Sequence, residues 1–116
     1  MPHAPQPDLP NKGMIAFVAV VIISPLVETL IMSLFIEFGL LIFPPLAVVT
    51  LSSIGWGIAH SLAAPAWGLV IWWPFLIFSM LYVTWRGEGR GKAILLVATV
   101  HALNNFLPAL LLLRSA

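Results

Sequence analysis

The chain has 116 residues, 61% of them hydrophobic and only 8% charged, with a net charge of +1 and no cysteine. A soluble domain carries about 25% charged residues, so this composition excludes an ordinary soluble fold, and the missing cysteine excludes disulfide scaffolds and thiolate chemistry. Lys12, Arg86, Arg90, Lys92 and Arg114 neither form a broad patch nor interleave with exposed aromatics, which speaks against nucleic acid as a partner.

Residues 1–12, MPHAPQPDLPNK, hold four of the ten prolines and no apolar run, and read as a flexible tail that includes His3. The apolar stretch that follows is too long for a cleaved signal peptide and reads as a first membrane span over 13–37. Pro44 and Pro45 suit the first turn of a second span, 44–63. Pro65 and Gly68 mark the next junction, and a third span covers 68–85, with Trp72, Trp73, Tyr82 and Trp85 placed as interfacial aromatics. The glycine-rich, charged segment Arg86 to Lys92 reads as an aqueous turn before a fourth span, 92–113. The expected fold is all-α: a polytopic membrane protein with an antiparallel four-helix core over 13–116. Counting basic residues places the Arg86 to Lys92 turn in the cytoplasm, and the expected location is a cytoplasmic (plasma) membrane. A core this small also leaves room for helices from a second copy, a homo-oligomer.

Polar side chains at membrane depth are costly and mark working sites. Glu28, His60, His101 and Asn105 are the residues of this kind. Counting ~1.5 Å per residue from the face carrying the Arg86 to Lys92 turn places Glu28 and His101 at ~14 Å, Asn105 at ~20 Å and His60 at ~22 Å. All four fall in a slab roughly 8 Å thick. His101 and Asn105 share a helix face at i and i+4, as do Ser53, Trp56 and His60 at i, i+3 and i+7. Any one of these residues could be a packing group that hydrogen-bonds a neighbouring helix. Their joint occurrence at matched depth is what points to a site, with the polar stripes facing one another inside the bundle. Glu37 and Glu88 read as solvated, Asn104 as a helix contact, and Trp56 as a support for His60.

These residues resemble the CPBP family of intramembrane proteases, also called the Abi or type II CAAX prenyl endopeptidase family. The family's first motif, a proline before a Glu-Glu pair and an Arg four residues on, is approximated by Pro25 and Glu28, with Thr29 and Ser33 in place of the second Glu and the Arg. Its second, an aromatic four residues before a histidine, matches Trp56 and His60. Its third matches His101 and Asn105. Losing the Glu and the Arg together leaves no orphaned buried charge, and Thr29 and Ser33 are placed to form a neutral hydrogen bond instead.

The resemblance implies an endopeptidase acting on membrane-associated or prenylated peptides. Glu28 would take a proton from water, His101 and Asn105 would donate to the oxyanion, and His60 would orient the water. No cofactor is needed in that version; the alternative is a zinc site ligated by Glu28, His60 and His101. Two other functions fit a four-span chain. A small proton-coupled multidrug transporter would need only Glu28. A catalytically impaired relative would bind peptide as an immunity protein, and Thr29 and Ser33 favour it.

Overall fold

The computed structural model describes residues 12–115, so the expected tail and His3 lie outside it except for Lys12. The described chain is helical from end to end: α1 (Lys12–Val18), a π-helical segment (Ala19–Ile23), α2 (Ser24–Gly39), α3 (Pro45–Ala63), α4 (Trp67–Trp85), a 3-10 turn (Arg86–Glu88) and α5 (Arg90–Ser115). Four stretches are long and apolar enough to cross a membrane: Gly13–Gly39, Pro45–Ala63, Trp67–Glu88 and Arg90–Leu111. The chain is a multi-pass membrane protein, and the expected span boundaries agree within a few residues. The last begins two residues before its expected start, because Gly89, at φ 136°, turns the chain sharply enough for α5 to begin at Arg90. Only glycine takes that backbone angle without steric cost.

The surface inverts the soluble pattern, with Leu41, Ile42, Leu46, Leu62 and Leu69 largely exposed, as lipid-facing positions should be. The interior is a narrow column of Met32 and Ile36 from α2, Val48 from α3, Phe75, Phe78 and Tyr82 from α4, and Ala93 and Val97 from α5. Each set recurs at three- or four-residue intervals, which is one face of a helix. On α5 Ala93, Val97, His101 and Ala109, which share one helix face, are buried, so the helix that lines the core also carries His101 inward.

The closest helix pair is α3 with α4, joined by a three-residue connection. A Cβ on Gly68 would collide with the Ser61 hydroxyl and the Gly57 carbonyl, and one on Gly57 would crowd Trp72. Small residues let the two backbones approach this closely, which is how helices associate where lipid removes the hydrophobic drive. Ser61 Oγ accepts from the Gly68 N–H at 3.0 Å and donates to the Pro65 carbonyl at 3.0 Å, closing the turn. Farther along the seam, Ser79 donates to Ser52 at 2.9 Å.

The first span is interrupted by the π-helical segment, a feature the hydropathy pattern does not reveal. Its cause is Pro25, which has no N–H to give and whose ring crowds the carbonyl one turn back. The Ser24 N–H bonds the Ala19 carbonyl rather than that of Val20. The Val20 carbonyl therefore loses its α-helical donor to Ala19, and its π-helical donor would be Pro25, which has none. Asn105 Nδ2 donates to that carbonyl at 3.0 Å from α5. Freed backbone groups in membrane helices must find such partners.

Candidate active site

Glu28 projects from α2 on the turn before Met32, between α3 and α5. Its two carboxylate oxygens are divided between two imidazoles: Oε2 lies 3.8 Å from His60 Nε2, and Oε1 lies 3.3 Å from His101 Nε2. Three helices thus bring an acid and two histidines to one point, as the depth count anticipates. His101 is the most enclosed of the three, while Glu28 and His60 are about one-fifth exposed at the side chain.

The two histidines are held differently. His60 Nδ1 lies 2.8 Å from the Trp56 carbonyl of the preceding turn. A carbonyl only accepts, so Nδ1 carries the proton, and in the neutral ring Nε2 presents its lone pair toward Glu28. His101 Nδ1 is buried without a hydrogen-bond partner. Its orientation comes from packing: its ring stacks on Phe78 at 4.5 Å between centroids and meets Phe75 edge-on at 5.2 Å. Phe75 also contacts His60 at 5.5 Å and stacks on Trp56 at 4.6 Å. One phenylalanine therefore stands between both imidazoles and walls the site with apolar surface.

Phe75 and Phe78 do not stand out in the sequence. The signal that finds them is the i, i+3, i+4, i+7 run Phe75, Phe78, Ser79 and Tyr82, which marks the inward face of a span otherwise notable for its tryptophans. Trp56 does support His60, through its carbonyl and through the ring of Phe75.

Several expectations need correction. Asn105 shares the inward stripe but is engaged with Val20, and it makes no hydrogen bond to Glu28 or either histidine. Thr29 and Ser33 do not bond each other: the Ser33 hydroxyl turns back to the Leu30 carbonyl at 2.7 Å, and Thr29 Oγ1 is buried without a partner. A helical serine or threonine finds a carbonyl in its own preceding turn more readily than a short side chain on the next. Ser53 likewise bonds within its own helix, to the Thr50 carbonyl at 2.9 Å. Asn104 is exposed. Glu37 is partly exposed but is not free in solvent. It accepts from Arg86 Nε at 2.8 Å and from Tyr82 at 2.7 Å, with Arg90 at 3.4 Å. Tyr82 accordingly points inward, 1% exposed, rather than into an interfacial belt.

The zinc alternative names the same trio of Glu28, His60 and His101. Among the described residues no three His, Cys, Asp or Glu side chains are arranged as metal ligands. His101 also lacks the acceptor that ordinarily holds the far nitrogen of a ligating imidazole.

An apolar groove of about 420 Å³ opens between α2 and α3, lined by residues that include Ile31, Phe35, Gly55 and Trp56. Ile31 lies one turn from Glu28, and Trp56 one turn from His60, so the groove begins beside the site. Compared with known proteins, the chain matches no family model, no curated protein and no solved structure.

Proposed function

We propose that the chain is an intramembrane endopeptidase of the CPBP kind, which hydrolyses peptide bonds of membrane-associated substrates with water activated by Glu28. The observation that carries this reading is the division of the Glu28 carboxylate between His60 Nε2 and His101 Nε2. A structural carboxylic acid needs one partner. A proton-coupled transporter needs the acid alone. Two imidazoles on separate helices are what water activation and charge stabilisation call for.

In the proposed reaction, a water lies between Glu28 and the His60 Nε2 lone pair, which accepts one of its hydrogens and fixes its direction. Glu28 takes the other proton as the oxygen attacks the peptide carbonyl, and the carbon becomes tetrahedral with its charge on the former carbonyl oxygen. His101, donating from Nε2, stabilises that oxyanion inside the apolar wall of Phe75 and Phe78, where a donor counts for more than in water. Glu28 then hands its proton to the leaving nitrogen and the bond breaks. Asn105 acts through the backbone, by holding the α1–α2 bulge against α5, and is a positioning residue. The groove between α2 and α3, one helical turn from Glu28, would receive an extended apolar segment from lipid.

The test is digestion of a mixed membrane-peptide library by reconstituted protein. Glu28→Gln keeps the shape and removes the base, and is expected to lower cleavage by about 10²- to 10⁴-fold. Proton-coupled efflux that needs Glu28 but tolerates His101→Ala would replace this reading with transport. A folded bundle that binds peptide and never cuts it would replace it with an unreactive receptor.

A further inference from the structure

A second polar constellation lies at the membrane face where α2 ends and the α4–α5 connection turns, away from Glu28. Glu37 there takes both Arg86, through Nε and a terminal nitrogen, and Arg90 at 3.4 Å. One carboxylate meets two guanidinium groups, so one positive charge is uncompensated. The surplus belongs to Arg90: its contact is the long one, it shares Oε1 with Arg86, and its side chain is 69% exposed. Arg86 and Arg90 line a pocket of about 540 Å³, whose other walls include Leu34, Phe38 and Leu41. Those three are 60%, 68% and 80% exposed and lie on the lipid-facing surface.

We propose that this pocket binds an anionic phospholipid, its phosphate on Arg90 and the start of an acyl chain along Leu34, Phe38 and Leu41. A guanidinium with free N–H groups pairs with phosphate by charge-assisted hydrogen bonds, and basic pockets between spans are where membrane proteins take such headgroups. The apolar wall distinguishes a lipid from free phosphate. The single surplus charge favours an anionic headgroup over a zwitterionic one, whose own cation would meet Arg90. The proposal is independent of the chemistry at Glu28.

The experiment compares melting of the wild-type protein in nanodiscs of phosphatidylcholine with and without phosphatidylglycerol. Phosphatidylglycerol is expected to raise the midpoint by about 3–5 °C, as a ligand of the folded state does. Arg90→Gln, which leaves the Arg86–Glu37 pair in place, is expected to lose most of that rise, whereas Lys92→Gln, an equal loss of charge outside the pocket, keeps it. Native mass spectrometry of the wild type should retain phosphatidylglycerol in preference to phosphatidylcholine. An equal rise in Arg90→Gln, an equal loss in Lys92→Gln, or no lipid preference in the spectrum would overturn the proposal. So would a comparable rise from inorganic phosphate in phosphatidylcholine discs, which would make the pocket a free-anion site.

Discussion

At the scale of single residues, Glu28 and the two imidazoles were legible because spacing and depth are countable. Glu28, His60 and His101 sit on the inward stripes of three spans, and a rise of ~1.5 Å per residue brings them into one slab roughly 8 Å thick. Aromatic packing, which sequence does not display, then fixes how each ring is held. His101 is packed by Phe75 and Phe78 and has no partner at Nδ1, so its role rests on Nε2. His101→Ala is expected to lower peptide cleavage by about 10²- to 10³-fold, the cost of one donor to a developing oxyanion. The protein should still fold, which circular dichroism of the variant checks. The engagement of Asn105 is hidden from sequence for a physical reason: the fate of its amide depends on a backbone carbonyl eighty-five positions earlier, and no pattern of side chains announces that.

At the scale of elements, the four spans follow from long apolar runs bounded by proline, glycine and charge, and all four were readable. The bulge in the first span was not, although its cause, Pro25, stands in the sequence. Hydropathy reports which residues face lipid and says nothing of hydrogen-bond register. If Asn105 exists to satisfy Val20, Asn105→Ala costs about 1 kcal/mol of stability. In a Pro25→Ala background the span can return to α-helical register, Ser24 can donate to Val20, and most of that cost should vanish. A double-mutant cycle of unfolding in detergent measures the coupling, and additive losses would show that the clamp does something else. The α3–α4 seam gives a sharper expectation. Gly68→Ala sets a methyl against the Ser61 hydroxyl and the Gly57 backbone, and because backbone cannot swing aside, the loss should exceed about 3 kcal/mol. Gly55→Ala, whose Cβ meets nothing within 4 Å, should be nearly neutral in the same assay.

At the scale of the whole molecule, the bundle has a slender core in a lipid-facing shell, with a carboxylate and two imidazoles partly open at its centre. Such a centre is costly to keep in a membrane unless it does work. The proposed work is water activation by Glu28 without a metal ion, so dialysis against a strong chelator should leave cleavage unchanged. The most direct measurement is hydrolysis of membrane peptides in water enriched in oxygen-18, with products read by mass spectrometry. Wild-type protein should place one heavy oxygen in each new carboxyl terminus, and Glu28→Gln should form almost no labelled product. Equal labelled product from Glu28→Gln, or fragments whose new ends carry no heavy oxygen, would contradict the account.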